Sequence, residues 1–179
     1  MNILYCGDKG ISRGVLVSIL SLLKHNSEPL CIYIMTIKYE GVEPFTEKTA
    51  KFLDGLVKKR SRKSFVKLID ATEAFTSHLP VKNMGSYFTP CSMLRLYLDK
   101  VPELTKLDRI MYLDYDVMCR GDLTEFYELT MDSTQMITGR EAFDTIRPIP
   151  LQFDEYALYQ NQYFKKNQSK WIVNDPKEE

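Results

Sequence analysis

Short unbroken apolar runs alternate along this chain with longer segments in which apolar residues recur every three or four positions. Asn2 to Cys6 (Asn-Ile-Leu-Tyr-Cys) is the first such run and predicts a buried strand. Gly7-Asp8-Lys9-Gly10 breaks it at once, with two glycines that permit a tight turn and close approach of a ligand to the backbone. Ser12 is then placed to cap a helix whose apolar face is Val15, Leu16, Ile19, Leu20, Leu22 and Leu23 and whose end is Lys24-His25-Asn26. Cys31 to Ile37 predicts a second strand. Glu43-Pro44 opens a second helix carrying Phe45, Phe52, Leu53, Leu56 and Val57. Phe65 to Ile69 is a third strand, followed by a short turn or helix beginning at Asp70 with Thr72-Glu73. Strands alternating with helices in this way predict an α/β fold with a mostly parallel, Rossmann-like sheet and right-handed crossovers.

Thr76 to Phe88 carries no clear period and contains Pro80, Asn83 and Gly85, which predicts a loop of the length that often covers a site. Thr89-Pro90 supplies a cap and first residue for a helix over Cys91 to Lys100, ended by Pro102. In that helix Arg95, four residues after Cys91, shares its face, beside an apolar face of Leu94, Leu98 and Val101. Arg109 to Leu113 reads as a strand buried on both faces, and Asp114-Tyr115-Asp116 follows where it should emerge. Asp122 and Glu125 have capping-box spacing for a helix to Leu129, and Gln135 to Thr138 predicts one more short strand. Beyond Gly139 the pattern loses its period. The expected organisation is one domain, with a core over residues 1–139 and an irregular extension over 140–179.

Charge and cysteine usage narrow the function classes. Twenty-four basic and 24 acidic residues cancel, so no overall field favours nucleic acid or an anionic membrane surface. No apolar run approaches the ~18 residues of a membrane span or forms a signal-peptide core, and the expected location is cytoplasmic. Cys6, Cys31, Cys91 and Cys119 are scattered without a C-x-x-C pair, as expected of reduced thiols used as small hydrophobes. The basic run Lys58-Lys59-Arg60-Ser61-Arg62-Lys63 reads as a solvated helix end, His25 as a helix-terminal cation, and His78 as a surface residue rather than a metal ligand.

The chemistry concentrates in the acidic triplet. Asp-x-Asp arises by chance about once in a chain of this composition, so position must carry the argument. In open α/β sheets ligands sit at the carboxyl ends of strands, which is where Asp114 and Asp116 are delivered. Two carboxylates held close require a proton or a cation between them, and hard oxygen ligands select Mg²⁺, Mn²⁺ or Ca²⁺. A divalent ion bridging carboxylates and phosphates assists departure of a diphosphate. The competing reading is a solvated strand end whose acids cap a neighbouring turn.

Three ordered segments carry a resemblance: Ile3-Leu4-Tyr5-Cys6-Gly7-Asp8, Met93-Leu94-Arg95-Leu96-Tyr97-Leu98, and Ile110-Met111-Tyr112-Leu113-Asp114-Tyr115-Asp116-Val117. Together, and with Arg120-Gly121-Asp122-Leu123 and Phe126 following, they resemble motifs of the family 8 glycosyltransferases, the group that includes glycogenin and bacterial galactosyl- and glucosyltransferases of lipopolysaccharide assembly. The resemblance spans residues 1 to about 139. It implies a GT-A fold and transfer of a hexose from UDP-glucose or UDP-galactose, with Mn²⁺ or Mg²⁺ and retention of configuration. The acceptor would be a glycan, a lipid-linked saccharide or a protein. Carried over, Asp114 would contact the ribose and the metal, Asp116 the metal, and Tyr115 the nucleotide-sugar. Cys6, Gly7 and Asp8 would hold the uridine end, and Arg95 would reach the diphosphate or donor sugar. Ile11 stands where relatives often stack an aromatic ring on uracil.

After residue 139 the family's Asn-Ser/Ala-Gly, Asp-Gln-Asp and late His-x-x-Gly-x-x-Lys-Pro-Trp motifs have no counterpart, although Tyr163-Phe164 resembles the beginning of the first. Neither His25 nor His78 can supply the late His by order along the chain. The expectation is therefore a donor-binding half, truncated or split, acting as a homo-oligomer or with a complementing chain. The alternative is a non-catalytic nucleotide-sugar-binding module. A metal-dependent phosphate hydrolase is a third reading, short of the further ligands a two-metal site needs.

Overall fold

A computed structural model of the protein describes residues 1–78, 89–131, 136 and 137. These fall in two units, 1–128 and 129–179, and the second contributes only Leu129–Met131, Met136 and Ile137.

The centre of the first unit is a four-stranded, wholly parallel sheet in the order β3-β2-β1-β4, built from β1 (Asn2–Cys6), β2 (Cys31–Thr36), β3 (Phe65–Asp70) and β4 (Met111–Tyr112). The register pairs Leu4 with Tyr33 and Leu4 with Tyr112, so the carboxyl ends of β1, β2 and β4 lie along one edge. Alternation sorts side chains onto two faces. Ile3, Tyr5, Ile32 and Ile34 pack against α1 (Ser12–His25) and α2 (Glu47–Arg60). Leu4, Cys6, Tyr33, Met35 and Ile69 pack on the other side against α3 (Thr72–Thr76) and the 3₁₀ run Pro90–Lys100. Both faces of β1 are covered, which is why it reads as a continuous apolar run. Each fully buried Ile or Leu contributes about 1.5–3 kcal/mol relative to its exposed state.

The α/β architecture and the first three strands match the reading of the sequence; several local details differ. Ser12 is the first residue of α1 rather than its cap. Asp8 caps a single 3₁₀ turn, Lys9–Ile11, that precedes it, and the Ser12 hydroxyl donates to the Lys9 carbonyl. Leu20 is 46% exposed and lies off the apolar face. The second helix begins at Glu47 with Thr46 as cap, because Pro44 is engaged in an antiparallel bridge with Asp8; Phe52 in that helix points to solvent. Asp122 accepts from the amide and hydroxyl of Thr124, an Asx turn in place of a capping box, before the one-turn helix α4 (Thr124–Tyr127).

Two differences bear on the site. Pro90–Lys100 is wound as 3₁₀ turns, interrupted at Tyr97 (φ −109°, ψ 17°), so residues three apart eclipse one another. Cys91, Leu94 and Tyr97 are the buried row, and Arg95 falls in line with Ser92, to whose carbonyl its Nε donates at 2.8 Å. Arg95 therefore does not share the face of Cys91. The strand expected over Arg109–Leu113 is two residues long and half-buried. Among the described residues β4 pairs only with β1 and so forms the sheet edge, while Ile110 and Tyr112 pack on one core and Leu113 on the other, so both faces of the segment are partly covered. The predicted loop over Thr76–Phe88 lies outside the described residues from Leu79 onward, as do Gln135 and Thr138 of the predicted short strand, Tyr163-Phe164 and the whole extension past Gly139; Met136 and Ile137 are described and not in a strand.

Candidate functional site

β1 and β4 are neighbours and run the same way, so Cys6-Gly7-Asp8 and Asp114-Tyr115-Asp116 leave the sheet side by side at its carboxyl edge. The pairing continues one step past each strand, with the Gly7 amide on the Met35 carbonyl (3.0 Å) and the Leu113 amide on the Leu4 carbonyl (3.0 Å). Beyond Leu113 the chain turns, the Val117 amide donating to the Asp114 carbonyl at 3.1 Å, and residues 114–118 are all exposed. Both acids are thus presented to solvent at a strand end.

Asp114 is held by two neighbours. The Tyr112 hydroxyl donates to its Oδ1 at 2.6 Å, and Arg95 Nη1 lies 3.8 Å from the same oxygen. Tyr112 and Asp114 are two apart, so strand alternation puts them on the same side. The Arg95 guanidinium also lies over the Tyr112 ring, 4.7 Å from its centroid. Both ionic groups are substantially exposed, so the pair itself stabilises the fold by no more than about 1 kcal/mol. Burial first, then the hydrogen bond to Asp114, pushes the Tyr112 hydroxyl far above its usual range, which keeps it a proton donor.

On the β1 side, Asp8 is half-buried and its Oδ1 accepts from the Gly10 amide at 2.7 Å. The loop before α2 braces this turn: Lys9 donates to the Glu43 carbonyl through its amide (2.8 Å) and to the Glu43 carboxylate through Nζ (2.6 Å). Cys6 is 8% exposed, and burial pushes its thiol up to about 12, with Arg95 opposing and Cys91 and Asp114 adding to the rise. It is a neutral thiol at physiological pH. The space a Cβ on Gly7 would need is filled by Ile11, whose Cδ1 would lie 2.4 Å away. The close approach that Gly7 permits is therefore to Ile11, and Ile11 is buried in the core instead of facing the cleft.

The segment after the triplet is fastened along α1. The space for a Cβ on Gly14 is taken by Tyr115, whose ring Cδ2 and carbonyl oxygen would lie 2.5 and 2.7 Å from it. One side of α1 further on, the Cys119 amide donates to Ser21 Oγ (2.9 Å) and the Leu123 amide to Asn26 Oδ1 (2.8 Å). Ser21 and Asn26 are buried polar residues whose hydrogen bonds are made. Reading the sequence for catalytic residue types missed Tyr112, Gly14, Ser21 and Asn26; the one signal was a glycine inside a helical pattern.

As a donor set, two exposed carboxylates suit a hard cation and not a soft one. Among the described residues no group of three His, Cys, Asp or Glu side chains could hold a metal ion alone. The fit is to a cation that brings further oxygen ligands with it. Of the residues expected to gather here, Asp114, Tyr115, Asp116, Arg95 and the Cys6-Gly7-Asp8 turn lie at the same sheet edge, whereas Ile11 and the Cys6 thiol face the interior.

Residues 2–178, nearly the whole chain, match glycosyl transferase family 8. The chain belongs to that family. The family 8 match continues past residue 139, beyond the part whose motifs carried the resemblance. Solved structures agree on the fold. Galactosyltransferase LgtC, in complex with donor and acceptor sugar analogs, superposes with a TM-score of 0.54 at 17% identity, over 75% of this chain and 44% of LgtC. The glycosyltransferase GlyE of Streptococcus pneumoniae TIGR4 gives 0.55 at 17% identity, over 97% of this chain and 40% of GlyE. The chain thus spans less than half the length of either. No curated protein matches it. No helix among the described residues is long and apolar enough to cross a membrane.

Proposed function

We propose that residues 1–139 form the nucleotide-sugar-binding core of a retaining hexosyltransferase, taking UDP-glucose or UDP-galactose as donor and a glycan, lipid-linked saccharide or protein as acceptor. The observation that carries the reading is the convergence of Asp114, Asp116 and Arg95 with the Cys6-Gly7-Asp8 turn at the carboxyl edge of adjacent parallel strands. That is where α/β sheets bind nucleotides. Family 8 membership supports it.

In this reading Asp114 and Asp116 are the protein ligands of Mn²⁺ or Mg²⁺, and Asp114 also meets the ribose. When bound, the cation neutralises charge growing on the departing diphosphate. The residues of the chain do the remainder. The Tyr112 hydroxyl, fixed as a donor, orients the Asp114 carboxylate so that it does not have to be ordered when the nucleotide arrives. Arg95 sits beside Asp114 with its guanidinium steadied on the Tyr112 ring and by Ser92; it offers a planar donor set to the diphosphate or donor sugar. Backbone groups of Cys6, Gly7 and Asp8 serve the uridine end.

A second reading, a nucleotide-sugar-binding module without transferase activity that pairs with a complementing chain or another copy, draws on the Asp-Gln-Asp and late His-containing motifs for which the sequence has no counterpart. Incubation of the purified chain with UDP-glucose and UDP-galactose separates the two. Slow, chelator-sensitive release of UDP supports the enzyme, binding without release supports the module, and failure to bind either sugar nucleotide contradicts both.

A further inference from the structure

Gly14 lies in the first turn of a 14-residue helix, where glycine costs backbone entropy relative to alanine and needs a compensating reason. The reason is a contact with the acidic turn. A Cβ at this position would stand 2.5 Å from Tyr115 Cδ2, 2.7 Å from the Tyr115 carbonyl oxygen and 3.3 Å from its carbonyl carbon. Two of these atoms are backbone, so no rotation of the ring alone could make room. Tyr115 is the residue between Asp114 and Asp116, and its carbonyl leads directly into Asp116. The seat on Gly14 therefore sets how far both carboxylates stand from α1 and from β1.

A second helix glycine shows the contrast. Gly55 occupies the middle of α2 and a Cβ there would meet nothing within 4 Å. Downstream of Tyr115 the chain is pinned to the same helix at Ser21 and Asn26, so it cannot shift as a whole to accommodate a larger residue at position 14.

We propose that Gly14 is a positioning residue for the donor site: its missing side chain lets the Asp114-Tyr115-Asp116 turn seat on α1, and the affinity for a nucleoside diphosphate with its divalent cation depends on that seat. This rests on the reading of Asp114 and Asp116 as the donor carboxylates, and the test separates the two. Full-length wild-type, Gly14→Ala and Gly55→Ala proteins are compared by thermal melting, by hydrogen exchange of peptides covering residues 113–119, and by calorimetric titration with UDP in Mn²⁺. Gly14→Ala is expected to exchange at least tenfold faster at Val117 and Cys119 and to bind UDP at least tenfold more weakly while still melting cooperatively. Gly55→Ala is expected to match wild type in both and to melt at or above it.

If position 14 were an ordinary helix site, alanine would raise the melting temperature and leave exchange and affinity unchanged; that result overturns the proposal. Faster exchange with unaltered UDP affinity overturns it as well. Wild-type protein that takes no UDP defeats the donor-site reading, and the exchange data still report whether Gly14 seats the turn. Should Gly14→Ala not fold, Gly14→Ala with Tyr115→Ala removes the ring contact and keeps the carbonyl contact. Weaker UDP binding than Tyr115→Ala alone then supports the proposal, and equal binding overturns it.

Discussion

The helices α1 and α2 have the same length, lie on the same face of the sheet and share one apolar core, yet they carry different loads. α2 buries Ala50, Leu53 and Val57, packs Leu56 partly on the same core, accepts the Val66 amide of β3 with Asp54 (3.0 Å), and ends in the basic residues Lys58, Lys59 and Arg60 where the helix dipole favours them; among the described residues none of its hydrogen bonds reaches the chain that leaves β4. α1 buries Val15, Ile19 and Leu22 on the sheet and, in addition, Ser18 and Ser21, with Asn26 just past its end. Those polar side chains are engaged: Ser18 with the Tyr5 hydroxyl at 2.7 Å, Ser21 and Asn26 with the chain that leaves β4. One helix packs; the other also holds the candidate site in place. Substitutions in α2 should therefore change stability alone, and substitutions along the polar line of α1 should change stability and site geometry together.

The largest effect is expected in the core of α2. Leu53 is fully buried, and Leu53→Ala should destabilise by about 2–5 kcal/mol in denaturant titration, while the folded fraction binds UDP as wild type does. A large affinity change would break the distinction. Asn26→Ala removes the acceptor of the Leu123 amide and a donor to the Leu22 carbonyl, at a cost of about 1–3 kcal/mol. Here hydrogen exchange should rise at residues 119–123, whereas uniform acceleration across the domain would reduce Asn26 to a packing residue. Tyr112→Phe should cost about 0.5–1.5 kcal/mol of binding free energy, roughly three- to tenfold in UDP affinity, with little change in melting.

Alkali probes the same site through Cys6. Its thiol titrates at 9.0 when unfolded and at about 12 when folded, so between those values the unfolded chain binds fewer protons than the folded one. The stability this burial contributes is fully present below pH 9 and is lost as the pH rises toward 12. The denaturant midpoint should fall as the pH rises from 9 toward 12, the Cys91 thiol, which burial pushes up to about 11, adding to the fall, and a flat profile would contradict buried neutral thiols. The smallest effect is Gly55→Ala, expected to stabilise by about 0.5–1 kcal/mol without touching the site.

Much of this arrangement was legible in the sequence. The runs Asn2–Cys6 and Cys31–Thr36 are buried enough to announce themselves as strands, Phe65–Asp70 at the other sheet edge is only partly buried but keeps its apolar run, and their alternation with helical periods implies the parallel sheet. Asp114 and Asp116 were legible as strand-end carboxylates. Local competition hid the rest. Pro44 bridges Asp8, so the helix starts later than proline alone implies. Cys91, Leu94 and Tyr97 recur every three residues, a 3₁₀ period that a 3.6-residue reading turns into the wrong face for Arg95. Ile11 fills the space over Gly7, which no one-dimensional pattern reveals. The roles of Gly14, Ser21 and Asn26 depend on residues more than 90 positions away, and the length of β4 depends on which neighbours it pairs with.

In the proposed function the two carboxylates after β4 hold a cation together with a nucleoside diphosphate. Calorimetric titration of UDP into the full chain in Mn²⁺, beside the Asp116→Ala variant and a chelated control, measures whether they do. Saturable heat in the wild type that disappears in Asp116→Ala and in chelator is the predicted result; equal heat in all three, or none in the wild type at millimolar UDP, would contradict it.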